Sequence, residues 1–184
     1  MERAHETIEE HADQSDPIAR RVAMLVSALA AVLALTEIGG KAAQNAYLTH
    51  HIAVSDDWAF YQARNLRAAV RESEIAMLSN LPNSQDPAIQ ARIKESEVYI
   101  ARMRDDTKGP GMKQLADKAR EQEDAREVAA HRYHNFEYAA GGLEIAIVLA
   151  SVSVITRVKP LAFGAAAIGA ASAAVSLSVA THLF

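Results

Sequence analysis

The sequence predicts an all-α protein with three transmembrane helices and a helical, hairpin-like soluble segment between the first and the second. Three observations predict it. Charge is segregated: residues 22–36 and 161–181 contain no charged residue and residues 139–156 contain only Glu144, whereas residues 41–137 are rich in charge. A charged side chain in hydrocarbon must be desolvated, paired or drawn back to the headgroups, so a bilayer selects such segregation while a soluble protein spreads its charges more evenly. The apolar runs, with their flanking turns, approach the roughly 20 residues that cross about 30 Å of hydrocarbon at 1.5 Å per residue. Between the first and second runs, apolar residues recur at three- and four-residue intervals, the period of a helix with one buried edge.

The elements follow in order. Residues 1–17 form a polar leader, acidic as well as basic, and broken by Ser15-Asp16-Pro17. It does not resemble a cleavable signal peptide, so the first apolar run is expected to remain as an anchor. Ser15 or Asp16 can cap the helix that follows, and Pro17 suits its first turn, because the missing N–H would be orphaned there anyway. The first span covers residues 18–40, with its apolar centre near 20–39. Gly39-Gly40 can bend it or admit a close neighbour, but glycine in a membrane helix does not have to end it.

The soluble segment covers residues 41–138. Its first helix runs almost to Pro82, and Trp58, Tyr61, Leu66, Ala69, Ser73, Ala76 and Leu81 give it a stripe rich in small residues that calls for a helical partner. The turn at residues 82–87, PNSQDP, interrupts it. Ile89, Ile93, Ser96, Ile100 and Met103 then mark one edge of a second helix, which ends at Lys108-Gly109-Pro110-Gly111. A third helix, with Leu115, Ala119, Gln122, Ala125, Ala129, Tyr133 and Phe136 along one side, meets no proline before Pro160 and can run straight into the second span, residues 139–156. Tyr133, Phe136 and Tyr138 stand where an interfacial aromatic belt is expected. A helix this long needs lateral support, and a coiled-coil stalk of the first and last of these helices would supply it. Only RVKP separates the second span from the third, residues 161–182, so those two form a tight hairpin. Ala162, Ala166, Ala170, Ala174 and Ser178 recur every four residues in the third span and are its expected packing face, because small side chains let helix backbones approach in lipid.

Basic residues set the expected orientation. Arg20 and Arg21 precede span one, and Arg157 and Lys159 lie in the hairpin on the same side; the other side has Lys41, Arg132 and His182. The positive-inside rule then makes the N-terminus cytoplasmic and residues 41–138 periplasmic.

Several chemistries are excluded or unsupported. The 184 residues include no cysteine, which removes disulfides, thiolate catalysis and cysteine-held metals. A net charge of −4 with no compact basic face gives no sign of a nucleic-acid partner. No phosphate-binding glycine loop, HExxH helix or nucleophile elbow is present, so no enzyme activity, catalytic residue or cofactor is expected. One polar pair stands out. Glu37 lies 13 residues before His50 and Glu144 lies 13 residues after His131, so antiparallel spans one and two would place both glutamates at one depth and both histidines about 20 Å above. Two carboxylates together in a membrane would raise one pKa or attract a cation, whereas the structural reading sends Glu37 to the headgroups and Glu144 to a neighbouring helix. His50, His131 and His134 lack a carboxylate or cysteine that would make them a specific metal set.

The segments TEIGGKAAQNA, WAFYQAR at residues 58–64, RYHNFEYA at residues 132–139 and GLEIAIVLASVSVIT resemble, in the same order and through nearly the whole chain, the bacterial membrane-protein family known as domain of unknown function 4337. The resemblance implies a small bacterial inner-membrane protein, multi-pass, and brings no assigned catalytic residues. The expected role is a structural or protein-interaction component acting as a homo-oligomer, with an oligomeric ion channel or transport accessory subunit as the alternative. Expected partners are further copies, an envelope protein and membrane lipid. Trp58, Tyr61, Gln62, Tyr133, Phe136 and the alanines of span three are the candidate packing or interface residues.

Overall fold

The computed structural model describes residues 17–106 and 109–181; the leader up to Asp16, Lys108 and His182 lie outside them. Four helices follow in chain order: α1 (Pro17–Ser79), α2 (Pro87–Arg104), α3 (Met112–Thr156) and α4 (Lys159–Ala180). No strand occurs among the described residues, so the fold is all-α as expected. Three helices, α1, α3 and α4, carry stretches long and apolar enough to cross a membrane. The protein is a multi-span membrane protein.

The helix limits follow local chemistry. α1 opens on Pro17 and runs for 63 residues through Gly39-Gly40 without a break. Asp86 ends the turn after α1: its Oδ1 accepts from the Ala88 N–H at 2.9 Å, and Pro87 opens α2. After α2 the chain becomes extended at Asp105, with φ −146°. Gly111 is required before α3, because a Cβ there would come within 2.6 Å of both the Asp106 amide nitrogen and Gln114 Oε1. Arg157 and Val158 alone join α3 to α4. Arg157 takes the left-handed conformation, φ 57°, which costs a non-glycine residue about 1–2 kcal/mol.

The chain divides into two compact units, residues up to 45 together with those from 130 onward, and residues 46–129. In the first, the parts of α1, α3 and α4 that cross the membrane pack on small apolar side chains. Val22, Ala150 and Ala165 form one buried cluster, and Leu29, Leu143 and Ala146 a second. The outward residues are large and apolar, with Ile155 83% and Phe163 77% exposed. An apolar surface of this kind suits lipid and would be costly in water.

The packing face of α4 differs from the expectation. Ala162 and Ala166 are half-buried as expected, but Ala170 and Ala174 are exposed. The inward side chains are Ala162, Ala165, Gly169, Ser172, Ser176 and Val179, at steps of three and four. A strict four-residue repeat advances about 40° per step on a helix of 3.6 residues per turn, so the alanine row winds off the contact. The small-residue principle holds with different residues. A Cβ on Gly169 would collide with the Leu29 side chain, and one on Gly142 with Ser172 Oγ.

In the second unit α1 pairs with α2 and with α3. Ile89, Ile93, Ser96, Ile100 and Met103 of α2 are all buried or half-buried, as their spacing predicts. Leu115, Ala119, Gln122, Ala125 and Ala129 of α3 are likewise inward. On α1 the small-residue stripe is not the face that α2 and α3 cover. Tyr61 is half-buried, but Leu66, Ala69, Ser73 and Ala76 are exposed, and the inward face runs through Val54, Asp57, Tyr61, Arg64, Ala68 and Arg71.

Candidate functional site

The expected intramembrane pair comes first. Thr36 and Leu143 point into the core of the membrane unit, with Thr36 1% and Leu143 0% exposed, and the next residue on each helix, Glu37 and Glu144, is turned outward and exposed. Neither glutamate makes a hydrogen bond or ion pair among the described residues. The polar group inside the unit is one the sequence reading passed over. Thr36 Oγ1 donates to the Val32 carbonyl at 2.9 Å, so the buried Ser176 hydroxyl, 2.9 Å away, donates to Thr36. That relay joins α1 to α4 with every hydroxyl proton used. Serine and threonine in apolar runs satisfy themselves on the preceding turn, as Ser27, Ser151 and Ser178 do here, which is why sequence alone does not single out this pair.

Phe136 is buried, and its ring lies against Gly39, where an added Cβ would come within 2.8 Å of ring carbons. Gly39 therefore serves a close approach, whereas a Cβ on Gly40 would meet Phe136 Cβ at an ordinary 3.4 Å. Tyr133 is half-buried and its hydroxyl donates to Glu137 Oε1 at 3.1 Å. That hydrogen bond, which only the protonated phenol can donate, pushes the phenol pKa above its usual value, and the carboxylate charge adds to the effect because deprotonation would set two anions side by side.

In the second unit residues 50–58 of α1, ending at the first residue of the WAFYQAR segment, are held against α3 by three polar contacts. His50 Nδ1 is 2.7 Å from Gln122 Oε1, the Lys118 ammonium donates to Asp57 Oδ1 at 3.0 Å, and the Trp58 indole donates to Glu123 Oε1 at 3.1 Å. Trp58 and Tyr61 are half-buried and meet edge to face with ring centroids 5.4 Å apart, while Gln62 is exposed. The Asp57 side chain is 5% exposed and its second oxygen, Oδ2, lacks a protein partner. Burial of an aspartate was not legible, since Asp56 and Asp57 are identical in type and only their helical phase separates them.

Further along α1, Glu74 gathers three donors. Arg71 donates to it at 2.6 Å, Arg92 of α2 at 2.9 Å, and the buried Ser96 hydroxyl at 3.2 Å. The hydrogen bonds from Arg71 and Arg92 lower the Glu74 pKa from 4.5 to about 2. The Arg71 guanidinium also stands over the Tyr99 ring, 5.2 Å from its centroid. Together with Arg104 on Glu72 at 2.6 Å, these contacts fix α2 antiparallel to α1.

The arrangement is one of helix docking. Among the described residues no group of three or more His, Asp or Glu side chains is placed to hold a metal ion. His50 is engaged by Gln122, and His134 Nδ1 lies 3.4 Å from Glu137 Oε2. No curated protein and no solved structure matches the chain. The family model described as a domain of unknown function, DUF4337, matches residues 18–182, and with a match over most of its length the chain belongs to that family.

Proposed function

We propose that the protein is a non-enzymatic structural component of a bacterial inner membrane that self-associates through α1 and presents its extramembrane unit to an envelope partner. One observation carries this reading. The outward face of α1 in that unit passes through Leu48, Ile52, Ser55, Ala59, Gln62, Leu66, Ala69, Ser73 and Ala76, at alternating steps of four and three, and all nine are exposed and uncharged. Beside them Val70 is 61% and Met77 73% exposed. The opposite face of a helix already packed on one side is normally charged, so an uncharged seam of heptad spacing is the signature of a second helix. The polar contacts explain why the chain does not cover it: Gln122, Lys118 and Glu123 of α3 meet α1 at residues 50–58, and α2 meets it at residues 64–74. Each level of α1 has one neighbour on one side.

A second copy fits this seam. Copies inserted with the same orientation bring their α1 helices together parallel, and in a parallel pair with these seam positions His51 of one copy falls opposite Asp56 of the other, with no like charges facing. Ala59, Ala69, Ser73 and Ala76 permit close approach, which favours a coiled coil of α1 with α1 on the face that the intrachain pairing with α3 leaves open. Arg20, Arg21, Arg157 and Lys159 on one side of the membrane against Lys41 and Arg132 on the other support a cytoplasmic N-terminus and a periplasmic extramembrane unit. An ion channel is the second reading, supported by the two unpaired outward carboxylates, Glu37 and Glu144, which only an assembly of copies would gather. Loss of flux in liposomes on Glu144→Gln is its test.

The cysteine-free chain makes the principal test direct. Leu66→Cys is expected to give a disulfide-linked dimer on mild oxidation in membranes, whereas Ala68→Cys, on the inward face, is not. A mass in nanodiscs of more than one copy, reduced to one by Leu66→Glu with Val70→Glu, is the matching result. A monomer at every concentration, with no crosslink from residue 66, overturns the proposal.

A further inference from the structure

The membrane unit holds an open cleft of about 580 Å³ at the end where α1 begins and α3 turns into α4. Its wall is apolar, with Val22 and Leu25 from α1 and Ala162, Phe163 and Ala166 from α4. At the same end three cations border it: Arg21, Arg157 and Lys159. All three are exposed, and none forms an ion pair among the described residues. Residues 17–36 and 145–181 contain no aspartate or glutamate, so the spans supply no counter-ion at this end.

From this conjunction we propose that the cleft is a binding site for an anionic phospholipid, independent of whether the protein self-associates. A phosphodiester headgroup offers the charge that Arg21, Arg157 and Lys159 lack, and an acyl chain offers the apolar surface that Val22, Leu25 and Phe163 face. Neither half of the site accounts for the other half, and one lipid molecule satisfies both. Basic residues gathered between spans at a membrane surface are the general means of anionic headgroup recognition. Arg157 is held there at φ 57°, in a turn of two residues, so its backbone is fixed by the hairpin. The N-terminus of α4 adds to the same field: its cap residue, Val158, makes no side-chain hydrogen bond, and the positive end of the helix dipole faces this turn. The acidic residues of the leader, among them Glu9, Glu10, Asp13 and Asp16, offer charge without an acyl chain and are the competing occupant.

Native mass spectrometry of the full chain released from nanodiscs tests the site. With phosphatidylglycerol and phosphatidylcholine of identical acyl chains in equal amount, retained phosphatidylglycerol is expected to exceed phosphatidylcholine by about tenfold. The exposed triple variant R21Q/R157Q/K159Q brings the ratio close to one, and F163A, which removes only an exposed apolar wall, lowers retention of phosphatidylglycerol with its cations intact. K41Q, at the other end of the first span, leaves the ratio unchanged. Excess inorganic phosphate does not displace the lipid. Equal retention of the two lipids by the wild-type chain, an unchanged ratio in the triple variant, full displacement by phosphate, or lipid retention only after residues 1–16 are removed would each overturn the proposal.

Discussion

Glu74 is about a quarter exposed, 26% of its side chain, yet two guanidiniums and a buried hydroxyl converge on it from α1 and α2. Its pKa falls from 4.5 to about 2 on folding, and the sign of the consequence follows from proton uptake. Below pH 4.5 the unfolded chain takes up a proton at this site while the folded chain stays ionised down to about pH 2, so acid favours unfolding across that window. The stability that Glu74 contributes is fully present above pH 4.5 and is lost as the pH falls through about 2. Thermal melts of the full chain in nanodiscs should show Glu74→Gln less stable than the wild type at pH 7, with the difference shrinking as the pH is lowered toward 2. A difference that stayed constant with pH would mean that the carboxylate acts through its shape alone. This hub was hidden in the sequence. Glu74 sits among Arg71, Glu72, Arg92 and Glu95, and composition does not distinguish the carboxylate that receives both arginines from those that remain in solvent.

At the scale of the helix, the contact between Gly39 and Phe136 makes the sharpest prediction. A methyl at residue 39 would sit 2.8 Å from two ring carbons of a buried side chain, so Gly39→Ala should destabilise the membrane unit by about 1–3 kcal/mol through overpacking. Gly141 has nothing within 4 Å of its added Cβ, and Gly141→Ala should be neutral or stabilising by up to about 1 kcal/mol. Unfolding in detergent at fixed lipid composition separates the two. Phe136→Ala made together with Gly39→Ala should cost less than the sum of the two single changes, and additive effects would remove the contact as the cause. Helix existence and limits were legible because prolines, Gly-Pro-Gly and the charge pattern mark them. Phase was legible only where one face competed. On α2, Ser96 and Ile100 are buried between charged, exposed neighbours, so the charge pattern marks the edge. On α1 the inward face itself carries Asp57, Arg64 and Arg71, so charge does not mark it, and the uncharged stripe through Leu66, Ala69, Ser73 and Ala76 lies on the outer side. On α4 every face is uncharged, and a four-residue repeat led to Ala170 and Ala174 instead of Gly169, Ser172 and Ser176.

At the scale of the whole molecule, the side of the membrane on which the extramembrane unit stands fixes where a partner is met. The unit has no long apolar run of its own, and the proposal that it is translocated rests on four basic residues on one side of the spans against two on the other among the described positions, namely Arg20, Arg21, Arg157 and Lys159 against Lys41 and Arg132. Long translocated segments escape the charge rule, so the 18 residues of α2 and the charged start of α3 do not weigh against this assignment. Asn83 and Gly109 lie in the turns at either end of α2, and neither helix geometry nor a core contact depends on the Asn83 side chain, which is exposed. A Cβ at Gly109 meets only the end of the Asp106 side chain, at 3.1 Å, which can move aside. Single cysteines at these two positions should therefore leave the fold intact and react with a membrane-impermeant maleimide on intact spheroplasts. Reaction only after lysis would place both turns in the cytoplasm. The three spans would then carry the Arg20, Arg21, Arg157 and Lys159 end outward, against the charge rule, and the search for a partner would move to the cytoplasmic side.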